Sequence, residues 1–380
     1  MSETTQSTTS TKPTAHQAFA ALAFIAVMLV GAWQITAAVY NPDGLVFPRT
    51  WLDFREGRTT QELEKQLDKK LPAHTSLIAG ANTLRYLITG GGGEQVRTGR
   101  DQWLFLTDEL RYDAGGAANL QARADMLGTA ALRLNEQGVK LVIALVPDKA
   151  RIYEAKLASG QYPAYNQSRY QDALAALRQR KVTTVDLLQP LTQAAAKSEV
   201  FYRTDTHWNQ VGAEVVARAV ASQVAELGVA LDKTTFKTTT EAAPVERVGD
   251  LVRLMGLQDM PNALRPTPDQ EATASTSQTS PDSAGGGLFG DVAAVPVVMT
   301  GTSYSMRGNF HGYMQQALSS KVLNTAKDGG GFLQAATAYL TDEAFRSAKP
   351  KVLIWEVPER FLMTKLEDEL KWLEKVKLKP

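Results

Sequence analysis

The amino-acid sequence predicts a three-layer α/β domain built on a mainly parallel sheet and preceded by one N-terminal transmembrane helix. Three observations carry this reading. Four short apolar runs, Lys140 to Val146, Val182 to Leu187, Val295 to Thr300 and Lys351 to Glu356, alternate with stretches of helical periodicity. Strands that are apolar on both faces belong to a parallel sheet covered by helices on each side. The stretch from Ala18 to Tyr40 holds no charged residue over 23 positions, which at about 1.5 Å per residue is enough to cross a hydrocarbon core of about 30 Å. A length of 380 residues, 44% of them hydrophobic, supplies a large core for one domain with insertions or for two domains.

Taken in order, residues 1–17 are rich in Ser and Thr and nearly devoid of apolar side chains, so they are expected to form a disordered tail. Lys12 is the one basic residue ahead of the span, offset by Glu3. The positive-inside rule then gives a weak vote for a cytoplasmic tail, and the length of the apolar run predicts an uncleaved anchor at 18–40. A cleaved signal peptide ending near Thr36-Ala37-Ala38 is the alternative, although the apolar run exceeds the usual length of such a segment. Residues 41–380 form the remaining domain. Asn41-Pro42-Asp43-Gly44 is turn chemistry. Leu63, Leu67 and Leu71 give Thr59 to Leu71 the spacing of an amphipathic helix, stopped by Pro72. The four glycines from Gly90 to Gly93 lead into Glu94-Gln95-Val96, not into Gly-Lys-Ser/Thr, and read as a flexible turn rather than a phosphate loop.

Val96 to Leu106 reads as a hairpin. Asn119 to Gln137 is a helix that ends at Gly138, a natural stop. Helical stretches follow at Tyr170 to Arg180, Gln189 to Lys197 and Trp208 to Leu227, the last with Val215, Val216, Ala219, Val220 and Val224 as its core face. Gly249 to Leu257 is a short helical or looped piece. Arg265 to Gly287 is polar and low in complexity, and is expected to be a mobile surface excursion. A helix at Asn309 to Leu318 and a final charged helix complete the chain, the latter carrying Lys371, Lys375 and Lys377 among Trp372, Leu373 and Val376.

Composition narrows the chemistry. Lys and Arg number 41 against 40 Asp and Glu, a net charge of +1, so no field argues for nucleic acid. The absence of cysteine excludes disulfides, thiolate catalysis and Cys-based zinc sites. In open parallel sheets, sites form beyond the carboxyl ends of strands. Pro147-Asp148-Lys149, Gly301-Thr302-Ser303 and Glu356 to Arg360 occupy such positions. Gly301-Thr302-Ser303 has the form of an exposed nucleophile on a tight turn, with Ser305 where an elbow motif would place its second glycine. A serine needs a base and a group to orient that base. Asp205-Thr206-His207, just before a helix start, supplies both types. Two other readings of that pair stand: a helix cap with a solvated imidazole, or a metal site of Asp205, His207 and His311. Trp103, Phe105 and Trp208 fit a core better than a carbohydrate platform.

Asp205-Thr206-His207-Trp208-Asn209 together with Gly301-Thr302-Ser303-Tyr304-Ser305 resembles the paired catalytic motifs of the alginate O-acetyltransferase AlgJ/AlgX family. Gly99-Arg100-Asp101-Gln102-Trp103-Leu104-Phe105, Val146-Pro147-Asp148-Lys149, Gly249-Asp250-Leu251 and Trp355-Glu356-Val357-Pro358-Glu359-Arg360 resemble further pieces of it in the same order, covering about 45–365. Gln102 departs from the pattern by standing where the family commonly has Gly. The resemblance implies an SGNH-hydrolase-like α/β domain, with Ser303 as nucleophile, His207 as base and Asp205 as orienting acid. Lys149, Arg307, Tyr304 and Trp208 are candidate substrate-binding residues; no metal and no cofactor is expected. The N-terminal span makes the chain more similar to the membrane-anchored AlgJ type, which implies an inner-membrane, single-pass protein with a periplasmic catalytic domain. The implied activity is acetyl transfer to hydroxyls of an exported polysaccharide, alginate or cellulose, through an acetyl-serine. The implied partners are a membrane-bound O-acyltransferase as acetyl donor and other export-complex subunits. An esterase using the same triad, or a non-catalytic scaffold, are the alternatives.

Overall fold

The structure, a computed structural model, describes residues 15–40, 50–55, 57–58, 61, 64–65, 74–279, 295–366 and 369–378. It divides into two compact units, Met1–Ala81 and Asn82–Pro380. In the first, α1 runs from Ala15 to Tyr40 over 26 residues and coincides with the expected span. Its described side chains include Leu22, Phe24, Ile25, Met28, Leu29 and Trp33, all exposed, while several others lie outside the description. Among the described residues no helix is long and apolar enough to cross a membrane. The expected turn at Asn41 to Gly44 and most of the expected helix at Thr59 to Leu71 also lie outside the described residues.

In the second unit, β1 (Val96–Thr98) and β2 (Leu104–Leu106) form a hairpin, paired antiparallel from Val96 opposite Leu106. Its turn places Asp101 at φ 53° and Gln102 at φ 61°, the left-handed region that glycine enters most easily. This gives a physical reason why glycine would suit position 102.

Five strands form the central sheet: β3 (Lys140–Val146), β4 (Thr183–Asp186), β9 (Val297–Thr300), β10 (Val322–Asn324) and β11 (Val352–Pro358). Their order is β10-β9-β11-β3-β4, and every pairing is parallel. Alternate residues of these strands enter opposite cores, as the two-residue period of a strand requires. Leu141, Ile143, Leu145, Leu353 and Trp355 face a core completed by α2 (Gly116–Glu136), α3 (Arg169–Gln179), α7 (Gln334–Thr341) and α8 (Glu369–Lys375). Val142, Ala144, Val146, Ile354, Val297 and Met299 face the other, covered by α4 (Leu188–Ala195), α5 (Gln210–Glu226) and α6 (Phe310–Leu318). The α/β class with a mainly parallel sheet read from the sequence is thus observed.

Register decides where the site falls. Thr300, the last residue of β9, pairs with Trp355 of β11, so β11 continues past the end of β9 and brings Glu356 beside the turn that follows Thr300.

Part of the tract expected to be a mobile excursion is ordered. β7 (Asp269–Glu271) pairs with β6 (Val245–Arg247), and β8 (Ala274–Gln278) with β5 (Phe236–Thr240), both antiparallel. The Thr and Ser side chains that made the tract look unstructured bond across the ribbon, Thr238 Oγ1 lying 2.7 Å from Thr276 Oγ1. Residues 280–294 lie outside the described residues.

Candidate active site

The turn after β9 carries Ser303. Gly301 sits at φ 152°, and a Cβ there would lie 2.6 Å from Glu356 Oε2 and 2.7 Å from the Glu356 carbonyl. Only glycine lets the chain pass so close to β11. The Glu356 carboxylate, fully buried, then organises the turn. Thr302 N donates to Oε2 at 2.7 Å, Thr302 Oγ1 donates at 3.0 Å and Ser305 Oγ at 3.2 Å. Burial pushes the Glu356 carboxyl up, and the hydrogen bonds from Thr302 and Ser305 pull against it. Ser303 to Met306 form a single 3-10 turn, with Ser303 half-buried and therefore reachable. The Ser303 N–H stands at the first position of that turn, where a backbone donor has no partner within the turn itself, and lies beside the seryl oxygen.

His207 precedes α5 by three residues, at the end of a bent segment from Arg203. Phe201 and Trp208 form an isolated antiparallel bridge, Tyr202 N donates to the His207 carbonyl at 3.2 Å, and Asn209 caps α5 by accepting from Gly212 N at 3.0 Å. Tyr304 closes the segment from below, its hydroxyl donating to the Thr206 carbonyl at 2.8 Å and its ring edge-on to the imidazole at 4.9 Å between centroids.

The three side chains form one line. Asp205 Oδ1 lies 2.6 Å from His207 Nδ1, and His207 Nε2 lies 2.7 Å from Ser303 Oγ. A carboxylate at Nδ1 fixes the proton there, so Nε2 presents its lone pair to the serine hydroxyl. Asp205 is buried, which raises its affinity for a proton. The hydrogen bond and charge of His207 and the charge of Arg247 outweigh that and hold its carboxyl well below the usual range. A second carboxylate, Asp250, places Oδ2 at 3.4 Å from Nδ1. Its Oδ1 accepts from Thr206 N at 2.7 Å, and burial followed by the neighbouring Asp205 charge pushes its carboxyl up.

Of the other sequence-derived candidates, three are corrected. Lys149 is fully buried, its Nζ donating to the carbonyls of Leu104, Arg203 and Asp205 at 2.7, 2.9 and 2.9 Å. It ties the hairpin to the Asp205 segment and has no donor left for a sugar. Trp208 and Tyr304 are likewise 0% exposed and meet edge to face within the core, 4.8 Å between ring centroids, so neither offers a face to substrate. Arg307 stays partly exposed and pairs with Asp328 at 2.9 Å. His311 bonds the Val322 carbonyl at 2.7 Å and does not join Asp205 and His207. Asp205, His207 and Asp250 do cluster, with His207 Nδ1 at hydrogen-bond distance from Asp205 Oδ1, 2.6 Å.

Sequence reasoning missed Asp250, Arg247 and the anchoring role of Glu356. Asp250 and Glu356 lay inside stretches already noted, and Arg247 carried no signal beyond its charge.

Comparisons with known proteins identify the family and the fold. Residues 96–359 match the family model described as an SGNH hydrolase-like domain, acetyltransferase AlgX. A protein of Pseudomonas putida named probable alginate O-acetylase AlgJ is 34% identical over 90% of this chain and 89% of its own length. The protein of the same name from Pseudomonas aeruginosa is 37% identical over 80% of each chain. The solved O-acetyltransferase domain of Pseudomonas putida AlgJ superposes with a TM-score of 0.64 at 35% identity, covering 74% of this chain and 98% of that one.

Proposed function

The chain belongs to the family of SGNH hydrolase-like acetyltransferases that includes AlgX and AlgJ, and from that premise we propose that it transfers acetyl groups to hydroxyls of an exported polysaccharide through an acetyl-Ser303 intermediate. The observation that carries this reading is the unbroken contact from Asp205 through His207 to Ser303, at 2.6 and 2.7 Å.

In the first half-reaction Ser303 Oγ attacks the carbonyl carbon of an acetyl donor while His207 Nε2 takes the hydroxyl proton. The tetrahedral intermediate collapses, the carbon–oxygen bond to the leaving group breaks, and the imidazolium returns the proton to that group. In the second, a sugar hydroxyl gives its proton to Nε2 and attacks the acetyl carbon, and Ser303 leaves with that proton. Asp205 holds the ring and stabilises the imidazolium in both halves. The Ser303 N–H serves as one donor to the oxyanion.

The names of the relatives favour alginate over cellulose as acceptor. We assign α1 the role of an inner-membrane anchor that holds the catalytic unit in the periplasm. Its support is an uncharged sequence from Ala18 to Tyr40 folded as helix with its described apolar side chains turned outward. A membrane-bound O-acyltransferase is then the donor partner, because acetyl-CoA is confined to the cytoplasm.

The test is Ser303→Ala in the full chain, supplied with an acetyl ester and uronic-acid or glucose oligosaccharides. Loss of acetylated sugar with an unchanged fold supports the assignment; transfer at the normal rate overturns it. Free acetate as the sole wild-type product would make the enzyme an esterase.

A further inference from the structure

The ribbon of β6 and β7 lies against the triad, and Arg247 at its end reaches the Asp205 carboxylate. Arg247, the last residue of β6, pairs in register with Asp269 of β7. Its Nη2 donates to Asp205 Oδ2 at 3.1 Å, and its Nη1 lies 3.4 Å from Glu271 Oε2. Its guanidinium stacks on the Tyr202 ring, 4.5 Å from the centroid. Glu271 is itself fixed, accepting from the Tyr202 hydroxyl at 2.5 Å and from Gln210 Nε2 at 3.2 Å. Asp269 pins the same stretch of chain, accepting from Arg203 N at 2.8 Å and Thr204 N at 3.0 Å.

Resting on the triad reading above, we propose that Arg247 is a positioning residue for acyl transfer: it fixes the outer oxygen of Asp205 and offsets the second carboxylate that faces His207.

The effect is electrostatic. Asp205 and Asp250 stand 2.6 and 3.4 Å from the same imidazole nitrogen. Two carboxylates there would favour imidazolium, and a protonated ring cannot accept the serine proton. The other charged or titratable groups facing the pair are Lys149, which donates to the Asp205 carbonyl, Tyr304, which is held neutral and edge-on, and Glu271 and Asp269 on β7. Among the described residues Arg247 is the one Lys or Arg with a bond to the Asp205 carboxylate. Asp205 Oδ2 already has a neutral donor in Asp250 N at 3.0 Å, so hydrogen-bond satisfaction alone does not require a guanidinium. Charge compensation does.

The test uses the full chain with an activated acetyl ester as substrate and a serine-directed fluorophosphonate as a label for Ser303. Arg247→Gln is expected to move the acidic limb of the kcat/KM profile up by about 0.5–1 pH unit and to lower kcat about tenfold while KM changes less than about twofold. Arg247→Lys keeps the charge and is expected to bring the limb back to within about 0.3 unit of wild type. Glu271→Gln removes a negative charge behind the guanidinium and should move the limb the opposite way, to lower pH. A purely structural Arg247 would lower the melting temperature and leave the limb in place in every variant, which would overturn the proposal. So would shifts of the same sign in Arg247→Gln and Glu271→Gln. If Arg247→Gln does not fold, the limbs of Arg247→Lys and Glu271→Gln decide, with an unmoved limb in Glu271→Gln counting against. Wild-type labelling separates the two failures: unlabelled Ser303 sinks the triad with it, whereas labelled Ser303 with unmoved limbs sinks only the role of Arg247.

Discussion

The imidazole of His207 is engaged at both nitrogens, and the two carboxylates beside it are not equivalent. Asp205 meets Nδ1 at 2.6 Å while Asp250 lies at 3.4 Å and spends its other oxygen on Thr206. Asp205→Asn should therefore cost roughly 10²–10⁴ in kcat by presenting the wrong tautomer, and Asp250→Asn at least about tenfold less than that. Steady-state kinetics on the two variants measure the difference; equal losses would mean that the acid is shared. The pair Asp205 and His207 was legible because its members stand two residues apart next to a helix start. Asp250 was not, because it reaches the site across more than forty residues of chain, accepting from Thr206 N and donating its own N–H to Asp205. Lys149, Tyr304 and Trp208 misled for another reason. Their chemistry suits a binding site, and burial is a property of the fold that side-chain type does not encode.

Among the elements, the turn between β9 and its following 3-10 turn does the most to place the nucleophile. Its shape depends on a missing Cβ at 301 and on one buried carboxylate. Gly301→Ala is expected to destabilise the fold by about 1–3 kcal/mol and to lower kcat more than it raises KM, since the new atom would sit 2.6 Å from Glu356 Oε2. Glu356→Gln keeps the volume but turns a donor toward Thr302 N or removes charge from its bond, so a loss of about 1–3 kcal/mol is expected there too. Thermal melts with kinetics on the folded fraction check both. The long strands β3 and β11 could be read directly, because Leu141 to Val146 and Val352 to Trp355 are unbroken apolar runs within them. β10 has three residues and β7 another three, too few for a period to show. The ribbon β5 with β8 is built of Thr and Ser whose strand character comes from pairing with each other and not from local preference.

Within the catalytic unit as a whole, a second buried charge network underlies the ends of β3 and β11. Asp148 receives bonds from Arg169 and from the Tyr162 hydroxyl, the latter at 2.9 Å, and Glu359 pairs with Arg151 at 2.8 Å and Arg169 at 3.2 Å. Burial, reinforced by the neighbouring carboxylates, pushes Asp148 and Glu109 up to about 7. An unfolded carboxyl titrates near about pH 4, so between about pH 4 and 7 the folded chain binds more protons than the unfolded one. Stability from this network is then full below about pH 4 and declines as pH rises through about 7. The melting temperature of the full chain should fall from about pH 5 to about pH 8, and Asp148→Asn should flatten that slope; an unchanged slope would contradict it. The sequence pointed to the stretches that hold Asp148 and Glu359, at the ends of two strands, but not to their pairing with Arg151, Tyr162 and Arg169, which meet them only in the fold.

The central claim is that Ser303 carries the acetyl group. Intact-protein and peptide mass analysis after brief exposure to an activated acetyl ester tests it most directly. The expected result is one added acetyl group, mapped to Ser303, lost on addition of acceptor oligosaccharide and absent from both Ser303→Ala and His207→Ala. Acetylation at another residue, or undiminished acetylation of the Ser303→Ala chain, would contradict it.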